Sequence, residues 1–526
     1  MKTAAATQSS PACSELPENS APHEQQEPLA LIDNFRSSPF WMAACGALLG
    51  LSAPGYGLWM LAWLALIPTL GWVRRRESWK QIFQGGFWLG FAYHGLFCLW
   101  FFDLHPLTWL GFTDWGSRLV TLGGWLIIAV EGGLLGGLLM LGYKALKTEW
   151  ARLLLFPLLW MFGFSMLNWT PMALPWALLE YTQAPLWPIR MLAALVTGSG
   201  VAALVVFHNV LWDVLRTRHL SGRKQSMAAF ALTVPALIGI TSQAPPPSET
   251  DWPMPMAVIQ ANLPIEVIRS ARMTPALADE AYLSPARNAH FPPDTLLIYP
   301  EEGVVPGWVP LENPERNLMI RRLQMLAQEK QLYIAAGVSS FDASDRQHNS
   351  IALIPPNDTP VRFYHKRRLV PFGEFTPYGF GPKLTELLSA LNVGYSAPYT
   401  PGDGAPLLQA NGLKLGGLVC FELIDSNPLN TGYAARYQQA GAKLLLNTSN
   451  LGWFHENPLL EAQFLAIGQM RAAETGLPLV IASNTGTSAI IGGGGQVINR
   501  TIPGANASRK SRILFYNGAS VQNSTK

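Results

Sequence analysis

Charge is what this sequence has least of. Asp, Glu, Lys and Arg make up 13% of its 526 residues, about half the share of an ordinary soluble domain. The shortage is concentrated before residue 245, which argues against a wholly soluble chain and for membrane-inserted segments. The formal net charge of +3 is small and dispersed, so no nucleic-acid surface is indicated. Cysteine is scarce as well. Cys13, Cys45, Cys98 and Cys420 show neither paired spacing nor a CxxC, so neither a disulfide framework nor a zinc site is expected, and no other metal is predicted. Residues 1–36 hold few large apolar side chains and read as a disordered polar tail. They also lack the basic start, apolar run and cleavage site of a signal peptide.

What is abundant is hydrophobic length. Apolar segments at 38–54, 56–73, 83–101, 118–143, 153–169, 190–212 and 226–242 predict about seven transmembrane helices in a membrane domain over 37–244. A bilayer core accepts such segments because a helix satisfies its own backbone there. The first two are short and flank Pro54-Gly55, which suggests a tight hairpin. Basic clusters follow spans two (Arg74, Arg75, Arg76, Lys80), four (Lys144, Lys147, Arg152) and six (Arg216, Arg218, Arg223, Lys224). The intervening loops, 102–117 and 170–189, carry Trp109, Trp115, Trp176 and Trp187 instead, as interfacial anchors do. This asymmetry predicts a cytoplasmic N-terminus and places everything after residue 245 outside the cytoplasm. In the outer loops, His105-Pro106 and Glu180-Tyr181-Thr182-Gln183 read either as contacts for a lipid head group or as solvated loop residues.

A Pro-rich linker, 245–254, leads into a second domain, 255–515, followed by a short polar tail, 516–526. Strand-like runs are predicted at 255–260, 296–299, 332–337, 350–354, 361–364, 415–420, 443–447, 479–483 and 488–491, with amphipathic helices clearest at 312–330 and 457–475. The alternation predicts layered sheets covered by helices. Three strand ends offer chemistry. Run 296–299 leads to Glu301 and Glu302, run 361–364 to Lys366, and run 415–420 ends in Cys420. Alone, Cys420 reads equally as a buried structural cysteine. Together, a carboxylate to take the thiol proton, an ammonium to favour the thiolate and a backbone N–H to hold an oxyanion make an acyl-transfer site. The shaped loop Pro371–Pro377, with two prolines, Gly373 and Glu374, is of the kind that positions function.

Glu301 after Tyr-Pro, Lys366 after Tyr-His and Cys420 in Val-Cys-Phe-Glu resemble the Glu-Lys-Cys triad of the nitrilase (carbon–nitrogen hydrolase) superfamily. His348-Asn349-Ser350, Asn447–Asn450, Arg471–Gly476 and Asn484-Thr485-Gly486 extend the likeness, and with the membrane half the chain is similar to the apolipoprotein N-acyltransferase family. The resemblance implies a multi-pass helical membrane bundle carrying an α/β domain, a four-layer α-β-β-α sandwich on the periplasmic side of a bacterial inner membrane. It implies Glu301 as general base, Lys366 as oxyanion and thiolate stabiliser, and Cys420 as acylated nucleophile. Glu374 would support Lys366, Glu422 would be a supporting or mobile-arm carboxylate, and Trp453 and Phe454 would lie where lipid enters. It further implies a phospholipid acyl donor, diacylglyceryl-modified apolipoproteins as acceptors, and no cofactor. Where relatives carry tyrosine after the nucleophile this chain has Phe421, and its polar 512–526 lacks the further membrane helix of many relatives. The alternatives are a membrane-anchored amidase of the same superfamily and a non-catalytic membrane scaffold.

Overall fold

The computed structural model describes residues 38–166, 174–217, 252 and, with short interruptions, 254–501, together with 511–516 and 521–524. The expected span at 226–242 lies outside the described residues, as does most of the linker.

The helical half contains α1 (Pro39–Gly50), α2 (Leu66–Arg74), α3 (Trp79–Phe97), α4 (Asp114–Ala145), α5 (Glu149–Met166) and α6 (Ala193–Thr217). Helices α4 and α6 are long and apolar enough to cross a membrane. The first two expected spans are corrected. Helix α1 has 12 residues, about 18 Å of rise, against a hydrocarbon core of about 30 Å. It runs into a turn at Pro54 in which Gly55 and Gly57 take positive φ, and the chain returns through a 3-10 turn, Trp59–Trp63, before α2. Helices α3, α4 and α5 begin four residues before the apolar runs that predicted them. Their starts are set by polar caps, with Ser78 accepting from the Gln81 N–H, Thr113 from Gly116 and Thr148 from Ala151.

Helices α3 and α4 cross on glycine. A Cβ on Gly90 would lie 2.0 Å from the Gly132 carbonyl oxygen, and one on Gly86 would lie 2.6 Å from that of Gly136. The two GxxxG pairs therefore let backbone meet backbone.

The α/β half holds fourteen strands among its described residues: β1 (Met256–Gln260), β2 (Leu296–Ile298), β3 (Val309–Pro310), β4 (Tyr333–Phe341), β5 (Gln347–Ile354), β6 (Arg362–His365), β7 (Leu408–Ala410), β8 (Leu413–Val419), β9 (Leu444–Ser449), β10 (Leu479–Ser483), β11 (Ala489–Ile491), β12 (Val497–Arg500), β13 (Arg512–Tyr516) and β14 (Val521–Ser524). One sheet runs β14-β13-β1-β2-β4-β5-β6, with β3 beside β4, and the other runs β12-β11-β10-β9-β8-β7. The segment expected as a polar tail instead supplies β14, paired antiparallel with β13.

Period-two alternation sorts the core. Met256 and Val258 of β1 join Leu296, Ile298, Leu415 and Leu418 between the sheets. Ala257 and Ile259 face the other way, toward Leu323 and Leu326 of helix Leu318–Lys330. Helix Pro458–Thr475 covers the second sheet through Ile467 and Met470. The layers are therefore helix, sheet, sheet, helix. Strands β1, β2 and β4 are mutually parallel, as are β8, β9 and β10. Strand β6 is antiparallel to β5, which is antiparallel to β4, so it ends at the same edge as β2.

The halves meet along helix Pro458–Thr475. The Gln463 side-chain carbonyl accepts from the indoles of Trp100 (3.0 Å) and Trp176 (2.6 Å), while its amide donates to the Phe97 carbonyl. Trp176 is therefore a buried link and no interfacial anchor. Glu180, Tyr181, Thr182 and Gln183 are buried too, which corrects both readings of that loop. The Tyr181 hydroxyl donates to the Ile424 carbonyl and the Ser426 hydroxyl to Glu180.

Replacing Gly90 by leucine must push α3 off α4, because a carbonyl on the helix backbone cannot rotate away. The expected cost is about 1–3 kcal/mol, read as a lower unfolding midpoint of the detergent-solubilised protein, with Gly123→Leu, where a Cβ meets nothing within 4 Å, as the silent control.

Candidate active site

The parallel strands deliver polar groups to one edge. Glu301 follows β2, Lys366 follows β6, Cys420 follows β8 and Asn450 follows β9. Lys366 is 1% exposed, and its Nζ donates to Glu374 (2.9 Å) and Glu301 (3.3 Å). Asn349, on β5, donates through one amide nitrogen to the same two carboxylates, at 2.8 Å and 2.7 Å. The second oxygen of Glu301 accepts from the Asn450 backbone N–H (3.0 Å), and that of Glu374 from the Val370 N–H (2.8 Å). Two buried carboxylates thus share one ammonium and one amide.

The electrostatics follow from that sharing. Burial raises the Glu301 pKa above the ordinary carboxylate value; Lys366 works against the rise, and the negative charges of Glu374 and Glu302 reinforce it. Burial opposes the Lys366 charge, but Glu374 and Glu301 more than offset it and keep the ammonium protonated. Burial and the charge of Glu301 push the Cys420 thiol well above the ordinary thiol range, while Lys366 and the Asn450 N–H favour the thiolate. The Cys420 thiol therefore lies within the field of both the Glu301 carboxylate and the Lys366 ammonium, which act on it in opposite directions.

Cys420 differs from the other described cysteines. Cys45 and Cys98 are buried among the helices, whereas Cys420 is partly exposed. It sits at φ +46 between β8 and the 3-10 turn Cys420–Ile424, a left-handed conformation that costs a non-glycine residue about 1–2 kcal/mol. A structural cysteine has no need of that strain.

The remaining sequence-predicted residues divide. Glu422 does not point at the thiol. It accepts from the Tyr364 hydroxyl (2.8 Å) and from the backbone N–H groups of Arg367 (2.8 Å), Arg368 (3.2 Å) and Val419 (2.8 Å). A buried carboxylate with those donors is a fixed clamp between the Lys366 and Cys420 loops, not a mobile arm. The Phe421 ring is buried, with the Arg368 guanidinium 5.3 Å above it. Trp453 and Phe454 lie four and five residues beyond β9 and reach the helical half, with Trp453 at 5.1 Å from Trp109 and Phe454 at 4.9 Å from Trp100. Glu302 turns away from Lys366 and is held by Arg269, Ser339 and Tyr399. Asn349 and the Asn450 N–H had no assigned role from sequence; the former sits in the recognised His-Asn-Ser run, and the latter leaves no side-chain signal.

Glu422→Gln would turn an amide N–H toward backbone N–H groups. A loss of about 2–3 kcal/mol is expected in chemical denaturation, together with a fall in any Cys420-dependent activity.

Profiles of known families match in order along the chain: "Apolipoprotein N-acyltransferase N-terminal domain" at residues 45–211 and "Carbon-nitrogen hydrolase" at 256–511. Curated relatives called apolipoprotein N-acyltransferase include one from Gloeobacter violaceus, 27% identical over 85% of this chain and 82% of its own length. Another, from Allorhizobium ampelinum, is 28% identical over 87% of this chain and 86% of its own. Among solved structures, the carbon-nitrogen hydrolase from Helicobacter pylori G27 is 19% identical, covering 50% of this chain and 87% of that one with a TM-score of 0.35. Two family profiles in series, and relatives that span both, establish that this chain belongs to the apolipoprotein N-acyltransferase family of the carbon–nitrogen hydrolase superfamily.

Proposed function

We propose that the chain is an acyltransferase that moves an acyl chain from a phospholipid, through a thioester on Cys420, to the α-amine of an N-terminal diacylglyceryl-cysteine on a lipoprotein. The observation that carries this reading is the partly exposed Cys420 beside the buried Glu301–Lys366–Glu374 group, next to aromatic side chains that reach the helical half. Outward-facing Leu119, Leu134, Leu138, Leu154 and Leu195 on that half remain exposed, as a lipid-facing surface requires. In this reading the helical half is a multi-pass inner-membrane bundle with a cytoplasmic N-terminus, and the sandwich (about 255–515) is periplasmic.

Glu301 takes the Cys420 proton as sulfur attacks the sn-1 ester carbonyl. The Lys366 ammonium and the Phe421 backbone N–H hold the tetrahedral oxyanion. The ester C–O bond breaks, Glu301 returns the proton to the departing glycerol oxygen, and a lysophospholipid leaves. The lipoprotein amine then attacks the thioester, giving a proton to Glu301; the C–S bond breaks and the thiol is restored with that proton. Glu374 and Asn349 hold Lys366 and Glu301 in place. Keeping both lipids at the bilayer avoids about 0.8 kcal/mol per CH₂ of transfer into water.

Purified enzyme incubated with acyl-labelled phospholipid should gain a hydroxylamine-sensitive label that is absent from Cys420→Ser; no adduct in wild type sinks the reading. The pH profile gives a second check. Glu301 must be ionised to act as base, and its pKa is raised by burial. Thioester formation should therefore rise with pH along a limb lying above the ordinary carboxylate range. A limb at the ordinary value would remove Glu301 from the role of base.

A further inference from the structure

One cation at the mouth of the site takes no part in these steps. Arg269 follows the short turn Ile265–Ile268 in the loop after β1, on the sheet edge that also carries Glu301. Its Nη2 donates to Glu302, and its guanidinium lies 5.4 Å over the Trp453 ring. Glu302 is gripped in turn by the Tyr399 hydroxyl and by the Ser339 hydroxyl at 3.1 Å. The pair is asymmetric, for the Glu302 side chain is 7% exposed and that of Arg269 is 33% exposed. One nitrogen and one face of the guanidinium are thus fixed by protein, while the rest of the group opens outward. Burial disfavours the Arg269 charge, but Glu302, Tyr399, Glu301 and Glu374 outweigh it, so the cation persists within the field of the reacting carboxylates. Trp453 in turn meets Trp109 of the helical half, with 5.1 Å between ring centroids. Arg269 therefore stands between the helical half and the chemistry.

The reaction contains a selection problem that Glu301, Lys366 and Cys420 do not solve. Donor and acceptor both carry a diacylglyceryl group, and both must reach one sulfur. They differ at the third glycerol carbon, which bears a phosphodiester in the donor and a thioether to a peptide in the acceptor. A planar guanidinium with open N–H donors binds phosphate oxygens by charge-assisted hydrogen bonds and has nothing comparable to offer a thioether. We infer that Arg269 binds the phosphodiester of the phospholipid donor, oriented for it by Glu302 and Trp453. The inference rests on the acyltransfer reading above and adds to it the means by which one site tells its two lipids apart.

The test compares full-length wild type, Arg269→Gln and Arg269→Lys in detergent, with phosphatidylglycerol or phosphate-free diacylglycerol of the same chains as donor and a diacylglyceryl-cysteine peptide as acceptor. Arg269→Gln should raise KM for phosphatidylglycerol about tenfold, leave thioester formation from diacylglycerol and KM for the peptide unchanged, and be partly rescued by Arg269→Lys. Equal losses with both donors would make Arg269 only a brace for Glu302 and overturn the inference, as would an unchanged KM. Tight competition by inorganic phosphate alone would overturn the lipid as the ligand. No thioester from either donor in wild type would instead defeat the acyltransfer reading itself.

Discussion

The arrangement depends on a single ammonium buried between two carboxylates. Burial works against the charge of Glu301 and of Lys366 alike, and their pairing at 3.3 Å, with Glu374 on the other side of the ammonium, offsets it. Because the two carboxylates share Lys366 and Asn349, moving either disturbs the other. The sandwich exists, in this sense, to bring β2, β5 and β6 to one edge and face them with the end of β8. Glu422 then ties the two loops by accepting from both, so the distance between cation and nucleophile is set by one buried side chain.

Much of this was legible in the residue order, and what was legible had a physical reason. The strand runs ending at Glu301, Lys366 and Cys420 showed period-two or fully apolar texture, and parallel strands share an edge at their C-terminal ends, so three residues far apart in sequence could be brought together on paper. The amphipathic helices expected at 312–330 and 457–475 are found at Leu318–Lys330 and Pro458–Thr475, the first starting late because a 3-10 turn, Pro314–Arg316, precedes it. Hydrophobicity was a poorer guide to length in the helical half. It marked apolar stretches but not the Ser and Thr caps that begin α3, α4 and α5; the turn that keeps α1 short was signalled by Pro54-Gly55 instead.

The misread residues share a cause. Glu180 to Gln183 and Trp176 were polar or amphipathic groups beside apolar spans, and sequence gives such groups no sign of what will cover them. Helix Pro458–Thr475, nearly 300 residues later, covers Trp176 through Gln463 and Tyr181 through Arg471, while Ser426 reaches Glu180 and Trp63 reaches Gln183. Glu422 was ambiguous in the same way, since its donors are mostly main-chain N–H groups belonging to other residues. Arg269 drew no notice at all; nothing local distinguishes it from a surface arginine until Trp453 and Glu302 arrive from distant segments.

The contact between the Asn450 N–H and Glu301 has a consequence for how this chain can vary. The donor is main chain, while the buried Asn450 side chain caps the turn that follows, accepting from the Gly452 N–H at 3.1 Å and from the Asn484 amide at 3.4 Å. Three and four residues on, the same stretch sets Trp453 and Phe454 against Trp109 and Trp100. What is constrained there is the length and path of the backbone, held at one end by the Asn450 cap and at the other by the two aromatic rings. Insertion or deletion of one residue between 450 and 453 is expected to break the Glu301 contact and both aromatic contacts together, whereas a substitution that removes the Asn450 cap leaves the main-chain donor in place.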